Sequence, residues 1–262
     1  MNRSYLLLII LCAIIACRKD QKPVAEKAPA SLDFKQIKAP LPFAGSWISE
    51  IYLKDIQERQ SPRKAQENIE ECFARIPAST LQPATMVYNF HEAITDLIPL
   101  NNNGNYELWE QQNDTIANLK YPIAILAEDK IKIGDKTFVK INTDYAGSQP
   151  RILEEILFKG LYQPKKGAQV EFKSNGEVSG LGKYKYYNPV MDYFDAGLQI
   201  DQVGLGETRD KMTYFGFKFK KHGLELFELK CKAYDETDKA RCVDVDFGKK
   251  IYDLEKVSPP KQ

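Results

Sequence analysis

Two histidines, His91 and His222, are all the imidazole the chain has, so acid–base or metal chemistry has few places to start. His91 stands in Asn89-Phe90-His91-Glu92 beside a carboxylate, but neighbours along a strand point to opposite faces and cannot share a metal as residues four apart on a helix do. A lone histidine in a β core is ordinarily just hydrogen-bonded, and His91 is carried forward only as a candidate for lining a ligand cavity. His222 precedes Gly223 in a tight turn. Acidic groups gather at Asp192-Tyr193-Phe194-Asp195 with Asp201, and at Asp235-Glu236-Thr237-Asp238. Oxygen-rich loops can hold calcium, but neither stretch has EF-hand spacing and both read as solvated turns. Paired carboxylates for glycoside hydrolysis need only meet in space, and nothing selects a pair. Gly-x-Ser-x-Gly, His-Glu-x-x-His, a phosphate loop and a dinucleotide fingerprint are all missing. The residues therefore assign no catalytic group, no metal ligand and no cofactor.

The aromatic residues say more, with 14 Tyr and 13 Phe, many of them in the second half. In a barrel too wide to fill, such side chains line an apolar pocket with a few polar tips, which makes Tyr186 and Phe217 candidate ligand contacts. In a filled barrel they simply pack between strands.

A long series of short strands would position these groups. Trp47 to Leu53 reads as a first strand. Ser61-Pro62 supplies a helix cap with proline at the first helical position, Ala65, Ile69, Cys72 and Phe73 share a face at helical spacing, and Pro77 stops the run. Beyond Pro83 the signals are strand-like: Thr85 to Phe90, Ala93 to Leu100, Tyr106 to Trp109, Tyr121 to Ala127, Lys130 to Ile133 and Thr137 to Ile141. The last three are joined by two or three residues, which only antiparallel neighbours allow. Residues 149 to 157 read as a short helix capped by Ser148. Asn175-Gly176 is the strongest hairpin signal, between Gln169 to Lys173 and Glu177 to Leu181. Tyr214 to Lys220, Leu224 to Cys231 and Lys249 to Val257 complete the series. Cys231 and Cys242 end one run and open the next, so they are the natural disulfide pair, which contributes roughly 3 kcal/mol on loop entropy. Cys72 reads as a buried small hydrophobe.

The chain opens with Arg3 and an almost continuously apolar run from Tyr5 to Ala16, the anatomy of a removable secretory signal and too short for a permanent span. Ile14-Ile15-Ala16-Cys17 resembles the lipobox of bacterial lipoproteins. The resemblance implies removal of residues 1–16, acylation of Cys17 and firm attachment to a membrane, since each buried methylene contributes roughly 0.8 kcal/mol. Arg18 stands where an aspartate in similar lipoproteins often retains the protein in the inner membrane, so the expected place is the cell envelope at the outer membrane, on either face. Residues 17–41 are rich in Lys, Pro, Ala and Gln and read as a flexible tether with a reach of roughly 25–30 Å. Without Arg3, Lys+Arg falls from 37 to 36 against 36 Asp+Glu. That balance leaves no electrostatic footprint for nucleic acid.

Phe43-Ala44-Gly45-Ser46-Trp47, placed after the tether, resembles the opening of the lipocalins and their wider calycin superfamily. There Gly45 and Trp47 would close the narrow end of a barrel. The resemblance, joined to the strand pattern, implies an all-β fold: an antiparallel up-and-down lipocalin-like β-barrel over 42–258, enlarged or duplicated, with one or two short helices, followed by a polar tail, 259–262. Phe158-Lys159-Gly160-Leu161-Tyr162 repeats the spacing of the opening motif with tyrosine for tryptophan, which would divide the barrel into halves 42–147 and 148–258. Two functions are open. One is binding or sheltering a small hydrophobic or amphipathic ligand in the barrel. The other is docking another envelope protein without chemistry; a hydrolase on the same scaffold is a remoter third.

Overall fold

Gly45–Ser49 forms the first strand, β1, and the chain turns directly from it into a helix, α1, Glu50–Arg59. The computed structural model describes residues 41–257, apart from 69, 80, 81, 89, 91, 103, 113, 114, 144, 147, 148, 194–197, 240 and 241. The expected continuation of β1 to Leu53 is thus corrected. Tyr52 and Ile56 are fully buried at helical spacing, while Lys54–Glu58 and Asp55–Arg59 pair four residues apart on the outside. Gln60 ends the helix in the left-handed conformation. A second short helix, α2, Pro62–Ala65, is capped by the Ser61 hydroxyl as expected, but it passes into a 3-10 turn at Gln66–Asn68 and then gives way to a strand, β2, Glu71–Ile76. Cys72, Phe73 and Ala74 are all buried because this strand has apolar surroundings on both faces, and that double burial produced the helix-like spacing in the sequence.

The strands β3, Ala84–Tyr88; β4, Glu92–Asn102; β5, Asn105–Gln112; β6, Thr115–Ala127; β7, Lys130–Ile133; and β8, Lys136–Ile141, follow as antiparallel neighbours. β8 pairs back onto β1, which closes the first barrel. Period-2 alternation sorts its faces: Ile131 and Ile133 point inward between outward Lys130 and Lys132, and join Trp47, Met86, Leu97, Leu108 and Phe138 in one core.

After a small hairpin of β9, Tyr145–Ala146, and β10, Gln149–Pro150, the chain makes a helical turn at Ile152–Leu153 that continues as a π-helical segment, Glu154–Phe158. The helix thus starts later than expected. A second eight-stranded antiparallel sheet comprises β11, Gly160–Pro164; β12, Val170–Phe172; β13, Val178–Ser179; β14, Tyr186–Pro189; β15, Gln202–Thr208; β16, Lys211–Lys220; β17, Gly223–Tyr234; and β18, Cys242–Lys256. β18 returns to β11, and β13 meets β14 through a bridge at Glu177 and Tyr186 and a hydrogen bond from the Val178 amide to the Lys185 carbonyl, 2.8 Å. The fold is therefore all-β, built of two barrel-like sheets with few helices.

The two sheets open in the same way. Gly45 and Gly160 sit at φ +138° and +143°, conformations that side-chain-bearing residues rarely adopt. The Trp47 indole N–H donates to the Phe43 carbonyl at 2.9 Å, and the Tyr162 hydroxyl donates to the Phe158 carbonyl at 2.9 Å. Across the closing strand, Lys140 lies opposite Trp47 and Lys256 opposite Tyr162, with each ammonium 5.6 and 5.8 Å from its ring centroid. A Cβ on Gly45 would stand 3.1 Å from the Lys140 stem, and one on Gly160 3.2 Å from that of Lys256. Gly45→Ala and Gly160→Ala are each expected to lower stability by about 1–3 kcal/mol, the cost of a strained backbone, in urea denaturation. A loss within about 0.5 kcal/mol, the range of ordinary surface changes, would show that closure does not need these glycines.

Candidate functional site

Among the described residues, aromatic and aliphatic side chains pack into the interiors of both barrels. In the second barrel Phe158 is the hub: its ring centroid lies 5.0 Å from Phe217, 5.2 Å from Phe219, 5.5 Å from Tyr187 and 5.8 Å from Phe172. Phe217 is fully buried in this cluster and lines neither of the clefts described below. Tyr186 is half-buried on β14 with the Arg209 guanidinium 4.6 Å above its ring, a packed cation–aromatic pair away from both clefts. His91 lies outside the described residues, as does Cys17. His222 is exposed in the turn between β16 and β17.

The informative region is the seam between the barrels. The outer face of β1 and β2 offers Ile48, Cys72 and Phe73, α1 adds Tyr52 and Ile56, and all of these join one continuous core with the second barrel. Cys72 donates to the Val87 carbonyl at 3.2 Å. Polar groups lock the seam. Asp201, just before β15, accepts from the Ser61 hydroxyl at 2.5 Å and from the Arg63 amide at 2.9 Å, so a carboxylate of the second barrel caps a helix of the first. Burial raises its pKa while these hydrogen bonds hold it down. The Gln66 amide donates to the Met191 carbonyl and accepts from the Tyr193 amide at 3.0 Å, and the Tyr193 hydroxyl takes the Gln202 amide at 2.9 Å. The part of the first acidic cluster that is described is thus structural rather than a solvated turn. Tyr52 is buried without a hydroxyl partner among the described residues, and burial pushes its pKa well up.

Two clefts open along this seam, of about 290 and 300 Å³, and they share Gln60 and Phe219. The first has an apolar floor of Ile156, Leu157, Tyr162 and Phe219 under Lys220, Lys221 and Lys256. The second gathers Arg59, Arg63, Lys64 and Lys218 around Asp201.

One buried ion pair could be mistaken for chemistry. Glu154, 2% exposed, receives Arg151 at 2.8 Å, and burial pushes its carboxyl up to about 7 although Arg151 pulls it down. A perturbed carboxyl in a cleft is a catalytic candidate, but this one is sealed beneath the Gly176 turn, where a Cβ would strike Arg151. It is a structural pair. Among the described residues no group of three or more His, Cys, Asp or Glu could hold a metal ion.

The remaining feature is a ribbon. β17 pairs with β16 only as far as Phe227, and β18 with β11 only from Leu254, so residues 229–234 and 242–247 pair with each other alone. The disulfide Cys231–Cys242, with Cα atoms 5.8 Å apart, ties this ribbon together as the sequence implied. At its tip Asp235 accepts from the Thr237 amide at 2.8 Å in a solvated turn, and Tyr234 and Val243 are 58% and 47% exposed. No helix among the described residues is long and apolar enough to cross a membrane.

No protein-family model, curated protein or solved structure matches this chain. Sequence reasoning missed Asp201 and Gln66 as seam residues and Lys140 and Lys256 as closing residues. Only the lysines left a signal: Lys140-Ile141 and Lys256-Val257 end the two halves at nearly equal distances from Trp47 and Tyr162.

A raised acid holds its proton more tightly in the folded chain than in the unfolded one, where Glu titrates near ~4.3. Glu154 therefore contributes stability that is complete below that value and is lost as pH rises through about 7. Glu154→Gln removes this component and leaves a constant offset from Arg151. The stability of wild type minus variant should fall by up to about 3 kcal/mol between pH 4 and 8 in denaturant titrations. A difference that does not change with pH would show that Glu154 titrates normally.

Proposed function

We propose that this chain is a lipid-anchored, lipocalin-like protein of the cell envelope, held at the outer membrane through Cys17, that docks a partner protein and performs no covalent chemistry. What carries this reading is the disulfide-tied ribbon on a solid body. Rings and aliphatic side chains occupy both interiors, which leaves recognition to the outside. A two-stranded ribbon is marginal in water without a third strand. This one extends beyond the barrel wall at that cost, is tied by its one disulfide, and presents Tyr234 and Val243. Tyrosine on a pre-ordered arm loses little entropy on binding and is enriched at interfaces. Bulges at Phe227/Leu229 and across Cys231 to Tyr234 break the register, so the tip side chains rather than the backbone edge would make the contact.

A photo-crosslinking residue in place of Tyr234, irradiated in the native envelope, should give a discrete protein adduct. The same residue in place of Lys132, exposed on the first barrel, should not. The adduct should disappear when Cys231 and Cys242 are both changed to Ser, with the barrels still folded. No adduct at Tyr234, or the same adduct from both positions, would remove the proposal. A second reading, binding of a small amphipathic molecule, draws on the seam clefts.

A further inference from the structure

We infer that the two seam clefts form one binding site for a single-chain anionic amphiphile, a long-chain carboxylate whose head sits among Arg59, Arg63, Lys64 and Lys218 and whose tail lies on Ile156, Leu157 and Phe219. The inference rests on the small-molecule reading of the seam and adds the charge and shape of the ligand. Four observations support it. The clefts are contiguous through Gln60 and Phe219, so one ligand can span both. Each is near the lower end of the volumes that hold small molecules, which suits one acyl chain and not two. The first cleft sets an apolar floor of Ile156, Leu157 and Phe219 beside Lys220, Lys221 and Lys256, and the second gathers four cationic side chains, so the combined lining is both amphipathic and cationic.

The fourth observation is the charge balance of the head end. Asp201 is its one lining carboxylate, and both its oxygens are engaged by Ser61 and the Arg63 amide. Arg59 and Arg63 have partners in Asp55 and Glu67, but Lys64 makes no ion pair among the described residues. Lys218 is held 3.9 Å over the Phe247 ring, which fixes its ammonium at the cleft without neutralising it. A carboxylate entering there would complete the charge, and its chain would cover the apolar floor. The tether is no candidate occupant: residues 17–41 carry Arg18, Lys19, Lys22, Lys27, Lys35 and Lys38 against Asp20, Glu26 and Asp33, so it has the same sign as the cleft.

The test is photolysis of the full chain with a diazirine-bearing dodecanoate, followed by mapping of the labelled residues. Labelling should fall on Ile156, Phe219 and their neighbours, and should drop at least tenfold in the variant Lys64→Glu with Lys218→Glu, both exposed positions, whose fold is checked by circular dichroism. A dodecyl ammonium probe of the same length should label the seam at least tenfold less. Equal labelling by the cationic probe would overturn the anionic assignment while leaving a small-molecule site. No seam labelling by either probe would overturn both. Competition by an acidic peptide at the same concentration as free dodecanoate would replace the amphiphile with a protein segment. Labelling that appears only after residues 258–262 are deleted would show that the chain's own end fills the cleft.

Discussion

Each sheet in this molecule brings its last strand back to its first: β8 returns to β1 and closes the first barrel, and β18 returns to β11 in the second, whose edge strands β13 and β14 meet at the Glu177–Tyr186 bridge. That return places Lys140 against Trp47 and Lys256 against Tyr162 in the same register, so one side chain from the final strand always rests on the aromatic of the opening one. The aromatic is in turn pinned by its polar tip to the carbonyl four residues earlier. A glycine between the two is required because the chain must turn at positive φ directly beneath the lysine stem. Exchanging tryptophan for tyrosine keeps all of this, since both combine a large apolar body with one hydrogen-bond donor. The recurrence of carbonyl, glycine conformation, aromatic donor and lysine in two places is stronger evidence of duplication than the two shared residue identities in the sequence.

Two barrel-like sheets of this kind would each present a polar outer surface. Here the outer face of β1 and β2 is apolar instead, and it must be covered. α1 and the second barrel cover it, and the polar groups that enter the seam find partners: Asp201 takes the start of α2, and Gln66 satisfies both the Met191 carbonyl and the Tyr193 amide. Such bonds add modestly to net stability, while leaving any one partner unsatisfied costs about 1–3 kcal/mol. They therefore act mainly to select this one seating of the barrels. The seam is also where the surface departs from convexity, because a helix end, a π-helical turn and the mouth of a barrel cannot fill the space between them.

Local chemistry made part of this legible from the residues. Asn175-Gly176 turns as a hairpin should, with Gly176 at φ +80°, and the cysteine pair lies where two runs face each other. The strand alternation in Lys130 to Ile133 could be read directly because only one face of that strand is buried. Where both faces are buried, as at Cys72 to Ala74, the period of two disappears and a helix is imitated. α1 was hidden because it follows β1 without any glycine or proline to mark the boundary. β15 carries Gly204 and Gly206, which weaken a strand signal, yet they fit there because a Cβ at Gly204 would meet the Met212 side chain and one at Gly206 the Lys211 and Thr208 carbonyls.

The candidate site was the least legible part, and for a physical reason. Ser61 and Asp201 are 140 residues apart, and no spacing rule links a helix cap to a carboxylate in another barrel. The residues that the sequence did single out, Tyr186 and Phe217, are aromatics, and aromatics are what a closed barrel of this size uses to fill itself. Recognition then falls to side chains that are unremarkable in sequence, lysines and arginines on helix ends and hairpin turns, whose meaning depends on the seam that collects them. Two barrel-like sheets packed together thus gain a surface that neither has alone. That surface, together with the disulfide-tied ribbon, is what distinguishes the pair from a single closed sheet.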